Sequence, residues 1–399
     1  MGRPFSVAVV AGEPSGDGHA GKLVEAFDRL APGSRWFGAG GPAMASAGVE
    51  IAVPMERLAV VGIAEVVAHL PSLWRSMGTL KRMLRQRRPD ALVLVDFPDF
   101  NFRLARFAHQ LGLPVLYYIT PQVWAWRQGR TEFLRRNVDL CLVIFPFEEP
   151  FLAARGVRAR FVGHPFVGTV ATDTSLQTFL DRQGLGPERR RVALLPGSRA
   201  SEVQRNLPPL MDAARRLLAA RPEVCVLVPW AKGLPDSLRR PYRDLDVRWV
   251  EGEYRDVLGH AHAAAVASGT ATLEGALLGV PEVIVYRLRR ASYAIGSRLV
   301  KLENVGLPNI VLGKRVIPEL IQSDFTGERV ADVLGGFLDE PEVSRTRAEV
   351  MSREIRARLG EGNGYQRAAR EIMAFLEAPE RRSSRATGWT SDGRGSGGA

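Results

Sequence analysis

Two short segments place glycine, hydroxyl and guanidinium groups in the order an anion-binding loop requires. Arg191 to Arg199 reads RVALLPGSR and Ala267 to Glu274 reads ASGTATLE. In each, an apolar run ends in small residues and a hydroxyl before a helical pattern begins, so free backbone N–H groups converge where a diphosphate would sit. Gly197 and Gly269 by themselves could do no more than make tight βα turns. The added Ser198, Arg199, Ser268 and Thr270 supply a charge and hydroxyls that a bare turn does not need, and together the loops suggest a nucleotide-diphosphate site. Neither is a Walker A loop, since no GKS or GKT occurs. Glu274 lies one helical turn beyond Thr270, within reach of ribose hydroxyls; the alternative is an acid favoured in a helix first turn.

Further candidates lie in the first half. ALVLVDFPDFN puts Asp96 and Asp99 at the end of an apolar strand, with Pro98 turning the chain out of the sheet. Partial burial there would raise a carboxyl pKa and suit a general base. Helix capping by Asp99 or Asn101 is the competing reading. PQVWAWRQGR carries Trp124, Trp126, Arg127 and Arg130, which suit a sugar ring or an acyl chain, though packing explains one tryptophan equally well. AGEPSGDGHA superficially resembles a dinucleotide loop, but a nicotinamide or flavin is not favoured. Its Gly12, Ser15, Gly16 and Asp17 would shape a mobile loop, with His19 opening the following helix, and His164 would cap a turn. In VGLPNIVLGKRVIPELIQ, Asn309, Glu319 and Gln322 look placed for a ligand or for holding the loop itself. The histidines show no metal spacing, so no metal and no cofactor are expected.

What must position these groups is an alternation of β-branched runs with helical patterns, which predicts an α/β protein of parallel sheets. The predicted strands are 6–12, 34–40, 91–97, 114–120, 140–145 and 159–165, then RVALLPG, EVCVLVPW, DVRWVEG, AAAVASG and EVIVYRL. They divide the chain into a domain at 1–170, a linker at 171–190, a second domain at 191–350, helices at 351–378 that can pack back on the first domain, and a disordered tail at 379–399. Two doubly wound domains would face a cleft at the carboxyl ends of their strands. A formal net charge of +11 on 399 residues favours an anionic partner. Cys141 and Cys225 sit in apolar runs and read as reduced and buried. With no export signal and no spanning segment, a cytoplasmic protein is expected. Residues 60–88 place Ile63, Val66, Val67, Leu70, Leu73, Trp74 and Met77 near one helical stripe before a basic cluster, Lys81, Arg82, Arg85, Arg87 and Arg88. That pattern suits a helix lying on an anionic bilayer, with Pro71 placed to split it into two helices; the alternative is that the stripe packs on the first sheet.

Taken in order, AGEPSGD, DFPDFN, YYITPQVWAWR, FPFE, GHP, LLPGSRASEV, ASGTATLE, VYR, LPNIV and PELIQ resemble the lipid-A-disaccharide synthase family over nearly the whole chain. The resemblance implies a GT-B-like fold of two Rossmann-like domains. It implies an inverting, metal-independent transfer from UDP-2,3-diacylglucosamine to 2,3-diacylglucosamine 1-phosphate, giving a β-1,6 disaccharide and UDP. Asp99 would correspond to the family's proposed base, Arg199 to its essential arginine and Asn309 to the asparagine of its LPN motif. Implied partners are these two lipids and the anionic cytoplasmic face of the inner membrane, with room for a homodimer and none for nucleic acid. A UDP-sugar 2-epimerase and a non-catalytic nucleotide-binding regulator are the readings to be separated from it.

Overall fold

The computed structural model describes residues 4–58, 63–125, 128–287 and 304–378, and for 63–70 the backbone alone. The chain divides into two compact units, Met1–Pro165 with Asn363–Ala399, and Phe166–Gly362. Both are doubly wound α/β layers.

In the first unit the strands are β1 (Ser6–Ala11), β2 (Arg35–Gly40), β3 (Glu50–Pro54), β4 (Ala91–Val95), β5 (Val115–Tyr118), β6 (Leu140–Val143) and β7 (Ala159–Phe161). They form one parallel sheet in the order β3-β2-β1-β4-β5-β6-β7. The helices are α1 (Pro14–Asp28), α2 (Pro42–Ser46), α3 (Ile63–Arg87), α4 (Pro98–Gln110), α5 (Arg130–Asn137) and α6 (Glu148–Ala153). Helices on both faces explain why a central strand reads as an unbroken apolar run rather than an alternation. In β4, Leu92 and Leu94 enter one core with Leu80, Leu104 and Tyr117, while Ala91, Val93 and Val95 enter the other with Leu23, Phe27 and Ile372. Strand order reverses between β1 and β4, where Ala11 pairs with Val95, so the loops after these strands start level with each other.

The second unit opens with α7 (Leu176–Gln183), inside the stretch expected as a linker. Its Phe179 and Leu180 are buried, Ser175 caps it through the Thr178 N–H, and the buried Asp256 carboxylate accepts from the Asp173 and Thr174 amides and the Thr174 hydroxyl. Three hydrogen bonds to one buried carboxylate thus fasten what composition reads as loose chain. The strands β8 (Arg190–Leu195), β9 (Val224–Trp230), β10 (Val247–Glu251), β11 (Ala263–Ala267), β12 (Glu282–Tyr286) and β13 (Glu319–Ile321) form a parallel sheet in the order β10-β9-β8-β11-β12-β13. Around it lie α8 (Ala200–Ala220), α9 (Tyr254–Gly259), α10 (Thr270–Leu277), α11 (Leu307–Leu312), α12 (Gly327–Asp339) and α13 (Pro341–Leu359). The long α13 is bound to this unit, with Ser352 Oγ donating to the Leu277 carbonyl at 2.8 Å. The last helix, α14 (Gly364–Glu377), belongs to the first unit, where Tyr365, Ala368, Ala369, Ile372 and Phe375 line one helical face in the core with α1. The chain therefore returns at Asn363, twelve residues beyond the expected start of the C-terminal segment at 351 (363 − 351).

Two strands escaped the periodicity. β3 and β13 each lie at one edge of their sheet, and each has only one fully buried residue, too few to show a pattern. Pro71 lies inside one continuous α3 rather than between two helices.

Glu282, the first residue of β12, is 3% exposed and packs against the bare Cα of Gly275, and neither carboxyl oxygen has a hydrogen-bond partner among the described residues. Burial pushes its pKa well above the ordinary value of 4.5. The folded state thus keeps a proton that the unfolded chain releases above 4.5, so stability falls as pH rises from there toward the raised value. Glu282→Met, of similar length and apolar, is expected to stabilise the protein by roughly 1–3 kcal/mol at pH 8 and by less at pH 5. Urea melts of both proteins at the two pH values check this; an equal difference at both, or a loss, would contradict it.

Candidate active site

Because β8 and β11 are neighbours with Leu195 opposite Val266, the two glycine loops leave adjacent strand ends at the point where the second sheet reverses its order. Ser198 and Arg199 are exposed just ahead of α8, and Gly269 and Thr270 are exposed at the start of α10. Among the described residues no side chain caps either helix. Two N-termini with unsatisfied N–H groups therefore lie at one switch point, the arrangement that binds phosphate oxygens. Gly197 has φ +114°, a left-handed conformation, and an added Cβ would approach Glu202 Oε2 to 3.0 Å. The buried Asn206 side chain donates to the Pro196 carbonyl at 3.0 Å and fixes the loop from beneath. Arg199 is 79% exposed and pairs with Glu202 at 3.1 Å. Ser268 donates its amide to the Val285 carbonyl and its hydroxyl to the Val305 carbonyl, so it joins the loop to its surroundings.

Glu274 is 2% exposed and already engaged: the Tyr254 hydroxyl reaches its oxygens at 3.0 and 3.3 Å, and Arg255 Nε donates at 3.1 Å. Burial pushes its pKa up, against the opposing Arg255 charge. A ribose would have to exchange with the Tyr254 hydroxyl. Nothing in sequence spacing pointed to Tyr254 or Arg255, since they reach Glu274 from another helix.

Asn309 and Glu319 differ from the expectation of direct ligand contact. Asn309 is fully buried, its Oδ1 accepting from the Val316 and Ile317 amides and its Nδ2 donating to the Ile317 carbonyl and to Glu319 Oε1. That fills all four hydrogen-bonding places of an amide side chain. Glu319 further accepts from the Val305 and Gly306 amides. These two build the loop, and Asn309 has no hydrogen-bonding place left to offer a ligand. Gln322 follows β13 with φ +54°, and its side-chain nitrogen is buried without a partner among the described residues.

In the first unit, Asp96 and Phe97 both adopt left-handed conformations, φ +46° and +53°, which non-glycine residues hold only when surroundings enforce it. The Asp96 carbonyl accepts from Asn101 Nδ2 at 2.7 Å and from the Tyr117 hydroxyl at 2.8 Å. Gly12 is the complementary requirement, since a Cβ there would lie 2.3 Å from the Phe97 ring. Burial, then the Glu13 charge, pushes the Asp96 carboxyl up. Asp99 is different: its side chain is 84% exposed and meets Arg130 Nη2 at 2.7 Å. Of the two carboxylates Asp96 is therefore the half-buried one and Asp99 the exposed one. Neither Asp99 nor Asn101 caps α4.

The AGEPSGD segment is less a mobile loop than the start of α1. The overlapping run Gly16-x-Gly18-x-x-Gly21, a dinucleotide-like spelling, falls wholly within the helix rather than across a strand-to-helix turn. Asp17 is buried and caps α2 by accepting from the Gly41, Ala43 and Met44 amides. Ser15 is exposed in the first turn. His19 Nδ1 hydrogen-bonds the Tyr365 hydroxyl at 2.9 Å, and burial, then the Lys22 charge, holds its imidazole down at about 4. His164 is similarly neutral, lowered to about 3 by burial and then by His19.

Trp124 is not a ligand platform. It is 8% exposed, donates its indole N–H to Glu148 Oε1 at 3.1 Å and meets Phe147 edge-on at 4.9 Å. Glu148 Oε2 accepts from the Ile144 and Phe145 amides, and burial pushes this carboxyl up to about 7. The FPFE segment carried that anchor in plain sight, but its partner is 24 residues away. Arg127 and Trp126 lie outside the described residues.

Of the α3 stripe, Met77 is 5% exposed in the core and Leu73 packs against it, whereas Trp74 is 62% exposed with Arg103 over its ring at 5.6 Å. The side chains of Ile63, Val66, Val67 and Leu70 lie outside the described residues. Lys81 and Arg85 both lie against the Phe107 ring at 4.9 Å. Among the described residues no helix is long and apolar enough to cross a membrane, and no three or more His, Cys, Asp or Glu gather as metal ligands.

The lipid-A-disaccharide synthetase family model matches residues 7–372. A lipid-A-disaccharide synthase of Geobacter metallireducens is 42% identical over 374 residues, spanning 93% of this chain and 97% of that one. One from Myxococcus xanthus is 40% identical over 387 residues, spanning 94% and 99%. Among solved structures, a UDP-GlcNAc 2-epimerase from Neisseria meningitidis bound to UDP-GlcNAc has TM-score 0.63 at 12% identity, covering 93% of this chain and 99% of that one. A kitacinnamycin glycosyltransferase has TM-score 0.62 at 17% identity, covering 94% and 100%. At such identities these two likenesses speak for the fold alone.

Proposed function

The chain belongs to the lipid-A-disaccharide synthase family and is a glycosyltransferase; from that premise we propose that it joins UDP-2,3-diacylglucosamine to 2,3-diacylglucosamine 1-phosphate. The products are the β-1,6 disaccharide 1-phosphate and UDP. The observation that carries the donor side is the pair of uncapped helix N-termini on adjacent strands, with Arg199 beside them. They would stabilise the charge that develops on UDP as its bond to the sugar breaks. Ser198, Ser268, Gly269 and Thr270 would contact the diphosphate, and Glu274 the ribose after release from Tyr254. Asp99 would take the proton of the acceptor 6-hydroxyl as that oxygen bonds to the anomeric carbon from the opposite face, which inverts the configuration. Asn309 and Glu319 support this site by holding its loop.

The substrates are acylated, and the reading includes work at an anionic membrane surface. Trp74 stands outward on α3 with the Arg103 guanidinium over its ring, and the charged groups of Lys81 and Arg85 lie over Phe107, a combination suited to the interface of a bilayer. Incubation of the protein with both lipids in vesicles is expected to yield UDP and the disaccharide in equal amounts by mass spectrometry, and faster on anionic than on neutral vesicles. Conversion of the UDP-sugar to an isomer of the same mass without acceptor would instead mark an epimerase, and binding without turnover a regulator. Equal rates on the two vesicle types would remove the membrane part alone.

A further inference from the structure

Resting on the assignment of Asp99 as base, we propose that Arg130 is its positioning residue, anchoring Oδ1 so that Oδ2 meets the acceptor hydroxyl. A carboxylate on the second residue of α4 with 84% of its side chain exposed has several rotamers open to it, and an unanchored base spends little time in line with its proton. Its partner is not mobile in the same way. Arg130 is 19% exposed, opens α5 and lies with its guanidinium 5.2 Å from the centre of the Phe102 ring. Phe102 is stacked on Phe133 at 4.5 Å and meets Tyr117 edge-on at 6.2 Å, and the Tyr117 hydroxyl holds the Asp96 carbonyl at 2.8 Å. One packed series thus runs from the strained turn after β4 to the guanidinium that holds Asp99.

Exposed ion pairs generally contribute little because both side chains must be immobilised. Here one end is already fixed by the aromatic stack, so the pair orders only the carboxylate. The bond engages Oδ1, and no bond to Oδ2 occurs among the described residues. Helix capping does not account for the carboxylate's placement, since α4 has no side-chain cap.

The test is a double-mutant cycle in turnover. Arg130→Ala is expected to lower kcat by about 10- to 100-fold, a misplacement effect, with the KM for the UDP-sugar unchanged. Added guanidinium ion should restore part of that rate. The Asp99→Asn, Arg130→Ala double variant should be no slower than Asp99→Asn alone, because an anchor has no effect once its base is gone. Losses that multiply in the double variant, or a wild-type rate in Arg130→Ala, would overturn the proposal while leaving Asp99 as base. A wild-type rate in Asp99→Asn would remove the base assignment first and this inference with it. Thermal melts accompany each variant. Should Arg130→Ala unfold, Arg130→Met keeps a stem over Phe102 and carries the same expectations.

Discussion

Asp99→Asn is expected to leave the fold and UDP affinity intact and to lower turnover by roughly two to four orders of magnitude. The change is nearly isosteric. Asp99 is 84% exposed and contributes nothing to either core of the first unit, so its removal costs stability no more than an exposed ion pair does, about 1 kcal/mol or less. An amide still accepts from Arg130 but takes up no proton. A single-turnover assay, UDP calorimetry and a thermal melt on the same preparation separate these effects. Near-normal turnover would shift the role to Asp96, whose carboxyl burial and Glu13 already push up, or to His19.

Arg199→Ala is expected to weaken UDP binding by about 1.5–3 kcal/mol, the usual loss for one charge-assisted phosphate contact, or roughly 10- to 150-fold in Kd. In the free protein Arg199 is 79% exposed and, among the described residues, pairs with Glu202, three residues on. Such a pair is weak, so the guanidinium can exchange that carboxylate for a diphosphate without leaving a buried charge behind. Binding should be reduced rather than abolished, because the backbone N–H groups of α8 and α10 remain. Unchanged affinity in a calorimetric titration would count against the cradle even if activity fell.

Several features were legible without coordinates. Alternation of apolar runs with helical patterns gave two doubly wound units, because burial on both faces of a parallel sheet leaves its mark strand by strand. The two glycine loops and the DFPDFN turn were legible for a related reason: each is a strand end followed at once by a helix start, and the residues that make such a turn are consecutive. The resemblance to the lipid-A-disaccharide synthases rested on the same local segments.

What the sequence could not decide was which polar groups meet. The linker reading failed at Asp256, whose carboxylate reaches back 83 residues to the Asp173 amide and makes the preceding chain part of the second unit. Trp124 looked like a sugar platform until Glu148 claimed its indole, and Asn309 looked like a ligand contact until its own loop filled every donor and acceptor it has. The two carboxylates of one turn were equivalent on paper. Packing made one half-buried beside Glu13 and set the other in solvent against Arg130, 31 residues on. Periodicity and turn chemistry record a residue's own exposure and its neighbours in the chain, so they fix elements and the loops between them. A hydrogen bond or ion pair depends on a second residue brought near by the folding of everything in between, as His19 and Tyr365 are across 346 positions, and only the tertiary structure specifies that partner.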